Sequence, residues 1–214
     1  MPREATPGSP PAVVLLHGVG ANEISLLGLS PALDPRFTLI SVRAPVEVHP
    51  GGYGLFRVTF TPEPVIVPQE AESSQQQLAS FLPGEHRQES QGLDPRRLLL
   101  LGFSQGAMIG ARMAVSRPER VAGLVMLSGR ILSEVQASFR PAELSALPVF
   151  LAHGHHDDKL GIHRSRASQD LFTGLGVKLT SREDTMDHEI GAEVLTEVGL
   201  WLARQAGLSP GRAA

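Results

Sequence analysis

Residues 98–106 read Leu-Leu-Leu-Leu-Gly-Phe-Ser-Gln-Gly, so that an apolar run passes directly into the pattern Gly-x-Ser-x-Gly. An uninterrupted run of leucine is typical of a strand that is buried on both faces of a parallel sheet. From Gln105 to Ser116 a small residue recurs at every fourth position, and Pro118 ends the pattern. The stretch therefore predicts a strand, a sharp turn that carries Ser104, and a helix that can lie close against a sheet.

Similar apolar runs recur along the chain, and helical patterns separate them. Beside Leu98–Leu101, the runs are Ala12–Leu16, Thr38–Val42, Leu124–Leu127 and Val149–Ala152. The alternating segment Val177–Arg182 predicts a strand near a sheet edge, and Gly54–Phe60 predicts a strand or a flap. The further helical patterns cover Pro68–Leu82, Ile162–Gly174 and Ile190–Gln205. Strands that alternate with helices predict an α/β fold with a mainly parallel sheet flanked by helices.

The predicted domain spans residues 12–207, between a flexible N-terminal segment 1–11 and a C-terminal tail 208–214. Sheets of this kind carry their functional groups beyond the carboxyl ends of the strands. Polar residues follow several of the apolar runs, so we expect a site at that edge of the sheet.

The composition excludes several classes of protein. A chain of 214 residues without cysteine has no disulfide scaffold, thiolate metal site or cysteine nucleophile. Its formal net charge of −3 supplies no basic field for nucleic acid. No apolar run exceeds Ala12–Leu16, whereas a signal peptide needs about seven apolar residues and a membrane helix about twenty. We therefore expect a cytoplasmic protein without stable membrane insertion.

The pentapeptide around Ser104 fits a nucleophile elbow, in which a serine sits on a strained turn between a strand and a helix. Side chains two residues before and after that serine would collide, so Gly102 and Gly106 meet the steric requirement. The N-terminus of the following helix favours negative charge that develops at the serine. The alternative is a plain turn whose Ser104 side chain caps the helix.

A serine hydroxyl needs a base to take its proton and an acid to orient that base. His188 follows the last predicted strand, which makes it a better base than His163 inside a helical pattern. Asp157 follows the fifth apolar run and is the preferred acid, while Asp158 is expected to stay solvated or to cap the next helix. This assignment has the chain order Ser, Asp, His that is typical of nucleophile-elbow enzymes.

Acyl transfer also needs donors for the oxyanion of the tetrahedral intermediate. We expect one main-chain N–H from Gln105, directly after the nucleophile, and a second from Val19 in the loop after the first apolar run. Because these are main-chain roles, the side chains of both residues are expected to be weakly constrained.

A cluster of histidines raises the alternative of a metal site. His153, His155, His156 and Asp157 are close in sequence, but neighbours on an extended segment point in opposite directions. We therefore expect no metal, and we interpret His17 and His153 as hydrogen-bonded structural histidines at the sheet edge.

Several motifs occur in an order that resembles one enzyme family. They are Leu16-His17-Gly18-x-Gly20, Arg43-Ala44-Pro45, Gly102-Phe103-Ser104-Gln105-Gly106, Ser128-Gly129, His153-Gly154-x-x-Asp157 and Asp187-His188-Glu189-Ile190. Together they resemble the phospholipase/carboxylesterase family of α/β-hydrolases, which includes the acyl-protein thioesterases. The resemblance extends over nearly the whole chain.

The resemblance implies an α/β-hydrolase fold without a large cap and the cleavage of acyl esters or thioesters. It implies Ser104 as nucleophile, Asp157 as orienting acid and His188 as base, with Val19 and Gln105 forming the oxyanion hole. It implies no cofactor, a small acyl ester or thioester as substrate, and a possible homodimer. The alternatives are a peptidase or haloperoxidase-like enzyme with the same triad, and a non-catalytic binding protein.

The resemblance also suggests residues for the acyl pocket, and here the chain departs from the family. Leu55 stands where the family commonly has tryptophan, so the pocket is expected to differ in shape. The candidate wall residues are Leu55, Phe56, Met108 and Leu132. The alternative for each is ordinary core packing.

Overall fold

The computed structural model describes residues 10–59, 64–82, 97–132 and 141–208. Its strands are β1 (Ala12–Leu16), β2 (Thr38–Val42), β3 (Val46–His49), β4 (Gly52–Gly54), β5 (Val58–Thr59), β6 (Val65–Ile66), β7 (Leu98–Phe103), β8 (Gly123–Leu127), β9 (Pro148–Gly154) and β10 (Lys178–Asp184). Its α-helices are α1 (Pro68–Phe81), α2 (Gln105–Ser116), α3 (Pro141–Leu144), α4 (Ile162–Gly174) and α5 (Ala192–Gln205). Short 3₁₀ helices span Leu27–Ala32 and Pro118–Arg120.

Six of the described strands form one sheet in the order β10-β9-β8-β7-β1-β2, and every neighbouring pair is parallel. The central strands are the apolar runs of the sequence, because only residues without polar side chains can lie between two layers of helices. The register pairs Leu16 with Gly102 and Phe103 with Leu127, so these strands end at the same edge. The predicted α/β fold with a mainly parallel sheet is confirmed.

The two outer strands of this sheet differ from one another in how well the sequence predicts them. The alternating segment after Val177 forms β10 at one edge, as expected. The apolar run Thr38–Val42 forms β2 at the other edge and is only half-buried along its length. The expectation that this run is buried on both faces is therefore wrong, because one side of β2 has no neighbouring strand among the described residues.

Helices cover both faces of the sheet and bury a separate core on each. One core contains Leu78 of α1, Ile109 of α2 and Phe172 of α4. The other contains Val194 and Trp201 of α5 together with side chains around the first 3₁₀ helix. The helices α2 and α4 begin and end where the sequence patterns predict, and α1 and α5 differ from their patterns by one or two residues.

Helix α2 lies unusually close to the sheet, and this approach determines where the turn before it points. A side-chain carbon added at Gly106 would overlap the carbonyl group of Leu16, and one added at Gly102 would overlap the backbone of α2. Only glycine fits at both positions. The close approach holds the turn at Ser104 above the carboxyl edge of the sheet.

Two small antiparallel hairpins, β3-β4 and β5-β6, follow the edge strand β2. The segment Gly54–Phe60, expected to be a strand or a flap, contributes to both hairpins, and its last residue lies outside the described residues. The expected flexible N-terminus 1–11 and tail 208–214 also lie largely outside them. Within the described ranges, no helix is long and apolar enough to cross a membrane.

Candidate active site

Ser104 lies directly after β7 in a backbone conformation that residues with side chains rarely adopt. Its φ is 54° and its ψ is −116°, which costs on the order of 1–3 kcal/mol and is found mainly at functional sites. The Ser104 amide donates a hydrogen bond to the carbonyl of Leu127 over 2.8 Å. The side chain makes no capping hydrogen bond to α2, so the alternative of a plain helix cap is wrong.

Three of the predicted site residues lie together in a continuous hydrogen-bonded chain. The Ser104 hydroxyl and Nε2 of His188 are 2.9 Å apart, and Nδ1 of His188 is 2.7 Å from Oδ2 of Asp157. The His188 ring also packs at 5.0 Å from the Phe103 ring. In this arrangement Nδ1–H donates to the carboxylate and Nε2 is free to accept the serine proton.

The carboxylate of Asp157 is wholly buried and is fixed on both oxygens. Oδ1 accepts hydrogen bonds from the main-chain N–H groups of Lys159 and Leu160 at 3.0 and 2.7 Å. Oδ2 faces His188. Asp158, by contrast, is 72% exposed and pairs with Lys159, in keeping with the expectation that it stays solvated.

His153 and His17 are both held by hydrogen bonds, as expected for structural histidines at the sheet edge. His153 is buried, and its Nε2 is 2.6 Å from the Leu160 carbonyl and 3.2 Å from Oδ2 of Asp157. Removal from water lowers the pKa of His153 below its usual value, which favours the neutral imidazole. Nε2 of His17 accepts from the Ala44 amide, and Nδ1 therefore donates to the Gly18 carbonyl.

The remaining histidines of the cluster, His155 and His156, are both exposed. His155 faces Glu183 at 3.6 Å, and the rival base His163 is exposed on α4. Across the part of the chain that the structure describes, no three His, Asp or Glu side chains are placed to hold a metal ion.

Val19 and Gln105, the two residues expected to supply the oxyanion amides, lie in a turn and at a helix start. Gln105 is the first residue of α2, and the first N–H groups of a helix have no acceptor within it. Val19 lies in the turn after β1, where the hydrogen bonds run from Gly20 to Tyr53 and from Ala21 to Gly18. Both residues line the same cleft as Ser104 and His188.

The side chain of Gln105 has a structural role that the sequence analysis missed. Its Oε1 accepts from the Leu55 amide and its Nε2 donates to the Phe56 carbonyl, each over 2.6 Å. The expectation that this side chain is weakly constrained is therefore wrong, because it is buried and fastens the segment after β4 to the start of α2. The hydroxyl of Ser74 donates to the Leu55 carbonyl as well.

The Ser104 hydroxyl faces a cleft of about 280 Å³. Phe56 and Met108 line it, as expected. Leu55 and Leu132 are not among the residues that line it, and both belong to the buried core, at 4% and 1% exposure. The further apolar lining residues are Val58, Pro64, Ile66, Phe103 and Leu160.

Three basic residues also line the cleft, although no motif of the sequence predicted them there. They are Arg130, Lys159 and Arg164. Arg130 follows β8, and the other two follow β9. The signal that could have identified them is their position, since residues that follow parallel strands gather at the carboxyl edge of a sheet.

Comparison with known proteins identifies one hydrolase family. The family model described as phospholipase/carboxylesterase matches residues 5–204. Acyl-protein thioesterase 1 of Gibberella zeae is 30% identical over 118 residues, which are 53% of this chain. The aligned part spans only 50% of that relative's length.

Solved structures resemble the whole fold. The crystal structure of esterase PE8 has a TM-score of 0.77 and 26% identity, with 92% of this chain and 93% of that chain covered. The Bacillus cereus carboxylesterase has a TM-score of 0.76 and 22% identity, with 95% and 92% covered. At that identity the second likeness concerns the fold alone.

Proposed function

The chain belongs to the phospholipase/carboxylesterase family, and we propose that it hydrolyses carboxylic esters or thioesters of acyl groups through an acyl-enzyme at Ser104. One observation carries the proposal. The hydrogen-bonded chain from the Ser104 hydroxyl through His188 to the buried Asp157 is unbroken and opens into a cleft whose walls are mainly apolar. A serine hydroxyl placed in this way is activated as a nucleophile.

In the first half of the reaction, Nε2 of His188 takes the proton of Ser104 as its oxygen attacks the substrate carbonyl. Asp157 keeps Nδ1 protonated and stabilises the imidazolium that forms. His188 then gives the proton to the leaving alcohol or thiol, and the acyl group stays on Ser104. Water repeats these steps on the acyl-enzyme and releases the acid.

The amides of Val19 and Gln105 are proposed to bind the oxyanion. The N-terminus of α2 adds its partial positive charge at the same point. Each such donor is worth about two to three orders of magnitude in rate. Because the amides belong to the turn and the helix, no side-chain reorganisation is needed when the charge develops.

The lining of the cleft supports an acyl substrate. Phe56, Met108 and Ile66 give the acyl chain an apolar wall beside Ser104. This lining favours an acyl ester or thioester over the peptidase and haloperoxidase-like alternatives, and the intact chain of hydrogen bonds argues against a binding protein without catalysis.

The test combines active-site labelling with a panel of substrates. A fluorophosphonate probe is expected to label the wild-type protein and the Ser128→Ala variant, and to leave Ser104→Ala unlabelled. Acyl esters and thioesters of increasing chain length should be hydrolysed, and peptide amides of the same acyl groups should not. Labelling of Ser104→Ala, or faster cleavage of the amides, would contradict the proposal.

Two finer expectations also remain proposals. A cytoplasmic location is tested by fractionation of cells that produce the protein at its natural level. A homodimer is tested by sedimentation over a range of concentrations, in which a single species of about 23 kDa would exclude it.

A further inference from the structure

Arg43 belongs to the motif Arg43-Ala44-Pro45, to which the proposed mechanism gives no role. It is the first residue after β2, and its side chain is 56% exposed. Arg43 is not among the described residues that line the cleft. Its side chain instead contacts the segment that follows the Val19 turn and the strand to which that turn is attached.

The turn after β1 is attached to β4 at a single residue, Tyr53. The Tyr53 amide donates to the Ala21 carbonyl over 2.7 Å, and the Gly20 amide donates to the Tyr53 carbonyl over 2.8 Å. Together they form an isolated antiparallel bridge. Because Gly20 shares a planar peptide unit with Val19, the bridge restrains the backbone directly after the proposed oxyanion amide.

The Arg43 side chain contacts both sides of this junction. Its Nε and Nη2 donate to the two carboxylate oxygens of Glu23, the first over 2.7 Å. The same guanidinium group lies 4.9 Å from the centre of the Tyr53 ring. A planar guanidinium can bind a carboxylate with two donors while its face rests on an aromatic ring, which an ammonium group cannot do.

Glu23 is a fixed partner for Arg43. The hydrogen bonds from Arg43 lower the pKa of Glu23 to about 2, so its carboxylate is charged near neutral pH. The Ser41 hydroxyl of β2 donates to the main-chain carbonyl of Glu23 as well. These contacts hold the end of the segment that carries Val19 against the edge strand β2.

Ala44 holds the other end of that segment from inside the protein. Its amide donates to Nε2 of His17 over 3.1 Å, and Nδ1 of His17 donates to the Gly18 carbonyl over 2.8 Å. Ala44 and His17 are both buried, whereas Arg43 is half-exposed. Two consecutive residues after β2 therefore support the start and the end of one turn.

We propose that Arg43 is a positioning residue for ester hydrolysis. It holds Glu23 against Tyr53 and thereby fixes the turn that presents the Val19 amide to the oxyanion. The inference rests on the proposed function, because the role of Val19 belongs to it. The charge of Arg43 is paired with Glu23, so its effect comes from the geometry of the turn.

The kinetic test removes the guanidinium group. Arg43→Gln is expected to lower kcat/KM for para-nitrophenyl butyrate by about threefold to tenfold, through kcat, because the lost contacts are partly exposed. KM should change by less than about twofold, since Arg43 does not touch the cleft. A trifluoromethyl ketone forms an adduct with serine that carries an oxyanion, so its Ki should rise by the factor by which kcat/KM falls.

Arg166→Gln is the matched control. Arg166 is 55% exposed and binds Glu183 through Nε and Nη2, each over 2.8 Å. It lies on α4 and is not among the described lining residues. The control thus removes an ion pair of the same geometry and exposure, and it should leave kcat/KM and the Ki of the ketone unchanged.

Amide hydrogen exchange tests the junction without any substrate. In Arg43→Gln, the Gly20 and Tyr53 amides should exchange about threefold to tenfold faster, because the bridge opens more often. The amide of Leu100 in the central strand β7 reports global unfolding, and it should be less affected. Equal acceleration at Leu100 would mean a general loss of stability and would overturn the inference.

Two further variants test how Arg43 acts. Combined with Arg43→Gln, Glu23→Gln should add little, because partners in one contact give losses that do not multiply. Losses that multiply in the double variant would overturn the inference. Arg43→Lys keeps the charge without the fork, and it should recover only part of the rate. Full recovery would assign the effect to charge and would also overturn the inference.

The outcomes separate this inference from the proposed function. Wild-type kcat/KM and Ki in Arg43→Gln overturn the inference, while Ser104-dependent ester hydrolysis leaves the proposed function intact. If no ester is turned over, the rate at which a fluorophosphonate labels Ser104 replaces kcat/KM. A wild-type labelling rate in Arg43→Gln, or unchanged exchange at Gly20 and Tyr53, then overturns the inference, and slower labelling with faster exchange supports it.

Discussion

Ser104 and Ser128 occupy corresponding positions on neighbouring parallel strands. Ser104 follows β7 and Ser128 follows β8, and both have a positive φ, of 54° and 47°. The amide of each donates to a carbonyl of the next strand, Ser104 to Leu127 over 2.8 Å and Ser128 to Ala152 over 2.9 Å. The two turns therefore share a positive φ at the serine and the same kind of main-chain hydrogen bond to the next strand.

Their hydroxyl groups have opposite surroundings. The Ser104 hydroxyl lines the cleft and meets His188. The Ser128 side chain is completely buried, and its Oγ has no hydrogen-bond partner among the described residues. A helix begins directly after Ser104, whereas Gly129 after Ser128 packs against α2. Backbone strain alone therefore does not make a nucleophile, because a base, a helix N-terminus and access to substrate are needed as well.

The strongest test of this comparison replaces each serine by alanine. Ser104→Ala is expected to lower kcat for ester hydrolysis by at least about four orders of magnitude, because the attacking oxygen is gone. Ser128→Ala should change kcat by less than about threefold. Both are measured with a short para-nitrophenyl ester, with circular dichroism as the control for folding. Similar losses in the two variants would contradict the distinction.

The second test breaks the hydrogen-bonded chain at its far end. Asp157→Asn keeps the shape of the side chain but removes the charge that fixes the imidazole tautomer, and we expect kcat to fall by about three to four orders of magnitude. Asp158→Asn is the matched control, since its side chain is exposed. Equal effects of the two substitutions would refute the assignment of Asp157.

The third test concerns the residue after Ser104. Gln105→Ala keeps the proposed oxyanion amide but removes both hydrogen bonds to the segment at Leu55 and Phe56. We expect kcat/KM to fall by about tenfold, since each bond contributes on the order of 1 kcal/mol. Gln105→Glu can accept from Leu55 but places a buried carboxylate oxygen against the Phe56 carbonyl, so it should not restore the rate that Gln105→Ala loses. A wild-type kcat/KM in both variants would show that the hydrogen bonds from Gln105 to Leu55 and Phe56 are not needed for activity.

The fourth test measures how the stability contributed by His153 depends on pH. His153 follows Ala152, whose carbonyl accepts the hydrogen bond from the Ser128 amide. Burial lowers the pKa of His153 below its usual value of 6.5, so the unfolded chain binds a proton that the folded protein does not. The stabilisation is present in full above about pH 6.5 and is lost as pH falls through that value towards the lower folded pKa. Urea unfolding at several pH values should show a smaller loss of stability on acidification for His153→Gln than for the wild type. The same loss in both would exclude His153 as its source.

The smallest expected effect is that of Ser128→Ala on stability. A buried hydroxyl without a partner is costly, so removing it should leave the free energy of unfolding unchanged or raise it by up to about 1 kcal/mol. Urea unfolding measures this, with Ser80→Ala as the comparison because Ser80 is an exposed helical serine. A clear destabilisation by Ser128→Ala would mean that its hydroxyl has a partner after all.

The sequence predicted the strands of the sheet and the positions of Ser104, Asp157 and His188, because these depend on local patterns. A leucine run can only be a buried strand or helix, and Gly102 and Gly106 leave room for a turn that other residues would block. The edge position of β2 was not predictable in this way, since burial depends on neighbours that are distant along the chain. For the same reason, Leu55 and Leu132 could not be distinguished from residues that line the cleft.

The amino-acid order alone thus determined the fold class, the chain order of the triad candidates and the absence of any thiol chemistry. Tertiary structure alone decided which of the two serines with a positive φ faces a histidine and a cleft. It also decided that the Gln105 side chain fastens the segment after β4, and that three basic residues line the cleft at Ser104. Local conformation is encoded by neighbours in sequence, whereas access, pairing and local charge arise only when separate strands end at the same edge of a sheet.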